Sequence, residues 1–168
     1  MKRVLKFLAN FIIIAAIGAL SHFAYEWTND SVYLAFLWPT NESIFEHMKM
    51  FFYPIMLVSL IQSIFVKENK GLFLSARLYG TVFSIIGCIA FYYIYKVNAP
   101  EIKDYIYIAS YFVFLFLGLF ISYNIYRYMK TMPEYLMWIA FAITLVLVLT
   151  FIYYTYKPLN TEFFKIFE

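Results

Sequence analysis

The chain has 168 residues and a formal net charge of +3; 64% of it is hydrophobic, 24% aromatic and only 14% charged. Soluble domains run at roughly 45–50% apolar and 25% charged, so a mean hydropathy of +0.74 places this chain in lipid, with the bilayer as its partner. The charge is dispersed, with no basic stripe for nucleic acid, and the single cysteine, Cys88, excludes a disulfide framework and a thiolate metal site; it reads as a small buried hydrophobe.

A helix crossing about 30 Å of hydrocarbon needs roughly 20 apolar residues. Five segments meet that length, at about 4–25, 43–66, 74–95, 105–128 and 135–156. The predicted fold is all-α, a single integral membrane domain over 1–168 built as a bundle of five transmembrane helices. The first segment opens MKRVLK and resembles a signal peptide, but its apolar run is longer than a usual h-region and ends in charge. It is read as an uncleaved first helix. Near its end His22 and Glu26 stand four apart and share one helix face. Gly18, Ala15 and Phe11 continue that face, and small residues there let a neighbouring helix come close.

The connection WTNDSVYLAFLWPT contains no Lys or Arg, and its apolar middle is too short to span. It is expected as a re-entrant turn or a segment lying in the interface. PTNESIFEHMKM follows, with two glutamates, a histidine and a lysine at the mouth of the second helix. Helical spacing puts Glu42, Glu46, Lys49 and Tyr53 in one row and Ser43, His47 and Met50 in the next. Pro54 is expected to kink this helix. If helices one and two are neighbours, His22, Glu26, Glu42, Glu46 and His47 converge on one patch.

Ionisable groups at membrane depth cost about 2.5–3.5 kcal/mol each on insertion scales and default to a functional hypothesis. Three readings stay open. Ser43-x-x-Glu46 has the form of a capping box and Lys49 can neutralise Glu46, which makes the patch a helix clamp. Imidazole with carboxylate suits a divalent metal, Zn, Mn or Fe, with His22, Glu26 and His47 as ligands and Glu46 or Glu42 as general base. A small polar or cationic molecule is the third occupant. The spacing matches neither the Glu-x-x-His of di-iron bundles nor the His-Glu-x-x-His of zinc proteases.

Farther on, Arg77 stands above a row of small residues, Gly80, Ser84 and Gly87 or Cys88, and reads as an interfacial arginine or as the partner of a carboxylate on another helix. Gly118 and Ser122 form a similar packing row in helix four. No Gly-rich phosphate loop or nucleophile elbow occurs. With the N-terminus inside, eight Lys and Arg lie on the inner side and five on the outer, which favours a cytoplasmic N-terminus and an outer C-terminus in the inner membrane. Trp27, Trp38 and Trp138 fall near helix ends, where interfacial anchors belong.

The stretches LSHFAYEW, PTNESIFEHMKM and ARLYGTVF together resemble a family of small bacterial multi-pass membrane proteins known only as a domain of unknown function. The resemblance rests on HF-x-YEW and P-x-NES-x-x-EH-x-K and covers most of the chain. It implies that His22, Glu26, Asn41, Glu42, Glu46, His47 and Lys49 form the family's polar signature; it implies no activity. Of the proline-rich tail associated with that family, the chain keeps Pro158. The expected function is a polar site at the outer ends of helices one and two, metal-binding and hydrolytic toward a lipid or lipid-linked substrate. The alternative is a non-enzymatic accessory subunit or small carrier whose charged cluster clamps helices or binds a solute.

Overall fold

The computed structural model describes residues 2–98 and 104–165. Five helices follow in order: α1 (Lys2–Trp27), α2 (Ile44–Phe65), α3 (Lys70–Asn98), α4 (Asp104–Tyr128) and α5 (Glu134–Tyr156). All five are long and apolar enough to cross a membrane, and no strand occurs among the described residues. The fold is therefore the all-helical, multi-pass bundle that composition demands. Residues 99–103, in the predicted connection between helices three and four, lie outside the described residues.

Local chemistry sets the helix ends. α1 stops where Asn29 and Asp30 take φ of 53° and 52°, the left-handed region that Asn and Asp tolerate best among residues with a side chain. α2 starts at Ser43, whose hydroxyl accepts from the Glu46 backbone N–H at 3.3 Å. Only half of the predicted capping box forms, because the Ser43 N–H donates to Asn41 Oδ1 at 2.9 Å, not to Glu46. α5 follows Pro133, which cannot continue a preceding helix.

α3 is the central helix, packed against α2, α4 and α5. The small-residue rows do what their spacing predicts. A Cβ added at Gly80 or at Gly118 would run into the other glycine's carbonyl, so α3 and α4 meet backbone to backbone. Ser84 Oγ donates across this seam to the Phe114 carbonyl at 2.9 Å. α5 is held from α3 by Tyr79 Oη, which donates to the Leu136 carbonyl at 2.7 Å. It buries only Ala140 and Phe151. Side chains such as Phe65, 79% exposed, and Ile64, 70% exposed, would be a liability in water and form the lipid-facing belt here.

Pro54 lies buried inside α2. Its missing N–H leaves the Met50 carbonyl without the usual helical partner, and α1 comes against that carbonyl at Gly18, where an added Cβ would stand 2.9 Å from it. The residues between α1 and α2 form a string of turns and no helix. Lys49 Nζ donates to the Ala35 and Trp38 carbonyls at 2.9 and 3.2 Å, and Tyr156 Oη to the Val32 carbonyl at 2.6 Å. The connection is thus tied to α2 and α5. Beyond α5 the chain folds back in a short 3-10 turn, Glu162–Phe164, placing Phe164 on Phe45 with ring centroids 4.7 Å apart. Lys96 pairs with Glu162 and fastens this tail to the end of α3.

Candidate functional site

Two polar clusters flank the start of α2, and they differ in kind. The first is buried. Glu46 and Lys49, three residues apart on one helix face, pair at 2.6 Å with side-chain exposures of 3% and 0%. The Glu46 carboxylate also accepts from the Thr40 backbone N–H at 2.8 Å and the Thr40 hydroxyl at 3.1 Å, with the Thr155 hydroxyl of α5 at 3.5 Å. Lys49 spends its remaining donors on the Ala35 and Trp38 carbonyls. Every charge has a counter-charge and a full set of partners, as a charge held away from water requires.

The second cluster is half open. Glu42 bridges both histidines: His22 Nε2 lies 3.2 Å from Glu42 Oε1, and His47 Nε2 lies 3.4 Å from Glu42 Oε2. One ligand atom from each of the three falls within 4.8 Å of the others. Tetrahedral ligands on bonds of about 2.1 Å stand about 3.4 Å apart, so the three groups would have to draw in slightly to share one ion through a single Glu42 oxygen. His47 Nδ1 lies 2.8 Å from the Ser43 carbonyl. A carbonyl only accepts, so Nδ1 carries a proton there. The opposite nitrogen, Nε2, faces a carboxylate that also only accepts. Either a second proton makes His47 an imidazolium, or a cation sits between Nε2 and Glu42. An Nδ1–H donated to a backbone carbonyl is also the usual way a metal-bound imidazole is oriented.

Glu42 stands outside the spanning helices, and its electrostatics follow from these neighbours. The hydrogen bond from His47, then the charges of His47 and His22, hold its carboxyl down at about 2 against the opposing effect of partial burial. The Glu42 side chain is 54% exposed, so solvent screens most of this interaction.

Of the five residues expected to converge, His22, Glu42 and His47 come together. Glu46 turns away into its pair with Lys49, and Glu26 is exposed, outside the group. Glu42 takes the place that helical spacing offered to Glu26. It precedes the N-cap Ser43, so the chain there is free of the helical register that put it in a row with Glu46. Asn41 serves the turn before the helix, through its bond from Ser43.

His22, Glu42 and His47 stand at the edge of a cavity of about 680 Å³ between α1, α2, α3 and α4. Its walls are mostly apolar, among them Met50, Phe51, Ile85, Ile89 and Phe112. Tyr111 also lines it, and its buried hydroxyl has no hydrogen-bond partner among the described residues. That hydroxyl abuts Gly18, where any Cβ would collide with it. Spacing alone did not single out Tyr111, since the sequence holds 17 tyrosines.

No curated protein and no solved structure matches the chain. A family model does match, over residues 2–166 and so through the C-terminal tail. The chain belongs to the family of unknown function DUF6512.

Proposed function

We propose that His22, Glu42 and His47 bind a divalent metal ion, Zn, Mn or Fe, and that the protein hydrolyses an ester of a lipid or lipid-linked substrate held in the adjoining cavity. The observation that carries this reading is the convergence of two imidazole nitrogens and one carboxylate within 4.8 Å at the edge of an apolar cavity. Two His and one carboxylate leave a fourth position open, as catalytic zinc sites do. A metal held by these three side chains would supply a bound water acidified to a pKa of about 7, the nucleophile that hydrolysis of an ester needs, with the water's proton passing to the oxygen that leaves. Glu46 is engaged by Lys49 and Thr40 and both oxygens of Glu42 face imidazole nitrogens, so activation of the water would rest on the metal rather than on a free carboxylate of the cluster. The apolar walls suit an acyl or prenyl chain, with Tyr111 Oη as the polar contact for its head. In this proposal the protein lies in the inner membrane, with a cytoplasmic N-terminus, an outer C-terminus and the site toward the outer face.

A second reading has its own support. The contacts at 3.2 and 3.4 Å also suit two imidazolium rings clamping one carboxylate, which would join α1 to α2 with no ion at all and fit a non-enzymatic accessory or carrier protein. Metal analysis of detergent-purified protein separates the two. Near-stoichiometric metal in the wild type, lost in folded His22→Ala and His47→Ala variants, together with metal-dependent release from a panel of lipid esters, is the expected result. A well-folded wild type that takes up none of Zn, Mn or Fe on incubation would leave the clamp.

A further inference from the structure

A second cavity, of about 530 Å³, opens at the opposite end of the bundle, where α1 and α3 begin and α2 and α4 end. Arg3 and Lys6 of α1, Arg77 of α3 and Arg127 of α4 all line it, and among the described residues no carboxylate does. At its inner wall Arg77 Nη2 donates to Gln62 Oε1 at 3.1 Å, and Gln62 Nε2 donates to Asn10 Oδ1 at 2.6 Å. The carboxylate partner that the position of Arg77 invited is therefore a neutral amide. Turned end for end, Asn10 would offer its oxygen to Arg77 Nη1 and Nη2 at 3.1 Å and give up its bond from Gln62. Either way, two amide oxygens serve a guanidinium with five N–H donors and two amide NH2 groups. The wall carries a positive charge that no carboxylate neutralises among the described residues.

Position sharpens this. Arg77 lies seven residues into α3, about 10 Å from its start at a rise of about 1.5 Å per residue. Arg3, Lys6 and Arg127 are exposed at the rim. Arg77 also lies over Phe73, 5.2 Å to the ring centroid, which restrains its buried guanidinium, while Arg127 at the rim lies over Tyr128 at 5.1 Å. Tyr123 and Tyr126 line the same cavity. An oriented arginine fork below a ring of flexible cations is suited to a tetrahedral oxyanion, which a guanidinium grips through two parallel hydrogen bonds.

We propose that this cavity binds a phosphate group, and that its occupant in the membrane is the headgroup of an anionic phospholipid entering from the adjacent leaflet. Basic pockets between spanning helices at the cytoplasmic face take such headgroups for this reason. The site is distinct from the His22–Glu42–His47 cluster at the other end and does not depend on it.

The test uses the full chain in detergent, titrated with a phosphatidylglycerol and with a phosphatidylcholine of the same acyl chains, with bound lipid read by native mass spectrometry. Inorganic phosphate is titrated separately and read by 31P NMR. Phosphatidylglycerol is expected to be retained in preference to phosphatidylcholine. That preference should fall about five- to tenfold in Arg77→Gln, and also in the triple variant Arg3→Gln/Lys6→Gln/Arg127→Gln, whose exposed positions keep the test available if Arg77→Gln does not fold. Lys67→Gln/Lys70→Gln, exposed at the same end but outside the cavity, should leave it unchanged. Equal retention of the two lipids, or a preference lost equally in the Lys67/Lys70 variant, would overturn the proposal. Inorganic phosphate bound in an Arg77-dependent way without lipid preference would overturn the headgroup and leave a soluble phosphate as the occupant.

Discussion

Glu42 and Glu46 stand one helical turn apart in sequence and have opposite fates. Glu46 is sealed with Lys49 under the α1–α2 connection, every oxygen partnered. Glu42 is more than half exposed and held between two imidazoles, one of which, His47, already has its Nδ1 against the Ser43 carbonyl. A closed pair is complete as folded, and removing one partner strands a charge. An open cluster is complete only with a proton or a cation added. Ionisable residues inside a membrane protein thus divide by whether their valence is already satisfied, and the unsatisfied cluster is where chemistry belongs.

That contrast can be broken at its strongest point first. Lys49→Met should destabilise the protein by about 3–5 kcal/mol, the usual cost of stranding a buried charge, measured by denaturant or thermal unfolding in detergent. Glu46→Leu/Lys49→Met should recover most of that loss. A single variant costing less than about 1 kcal/mol would mean the pair is solvated after all.

Next comes Gly18→Ala, whose methyl would meet Tyr111 Oη and the Met50 carbonyl. Overpacking of this kind costs about 1–3 kcal/mol. It should also push α1 from α2 and separate His22 from Glu42, read as a loss of metal uptake greater than the loss of stability. Metal uptake unchanged in Gly18→Ala would detach the site from this helix contact.

Glu42→Gln in metal-free protein should change stability by no more than about 1 kcal/mol, since its interactions are exposed and screened. A loss like that of Lys49→Met would make Glu42 a structural charge and erase the distinction.

The smallest effect is in pH. Because the Glu42 carboxyl is depressed from 4.5 to about 2, its contribution is present above about 4.5 and is lost as pH falls toward 2. The stability difference between wild type and Glu42→Gln should be flat just above pH 5 and shrink to nothing near pH 2. A difference that instead grew on acidification would contradict the assigned charge state.

Much of this architecture was legible because membrane helices announce themselves by length and hydropathy, and all five fall where the apolar runs lie. The small-residue rows at Gly80 and at Gly118 and the Glu46–Lys49 pair were legible too, since each obeys helical spacing, although only the packing shows that the two rows meet. What escaped lies outside helical register. Glu42 could not be chosen over Glu26 because it precedes the N-cap, where no period governs direction. The tail carrying Phe163 and Phe164 onto Phe45 has no periodicity to read. The basic cavity draws Arg3, Arg77 and Arg127 from three helices more than forty residues apart in sequence, and only their packing brings those charges to one place.

The central claim is that the open carboxylate, not its neighbours, completes a metal site. It is tested most directly by metal occupancy, measured by mass spectrometry, in folded Glu42→Gln and Glu26→Gln variants beside wild type. The account predicts near-stoichiometric metal in wild type and Glu26→Gln, and at least a tenfold loss of affinity in Glu42→Gln. Metal retained in Glu42→Gln and lost in Glu26→Gln would contradict it.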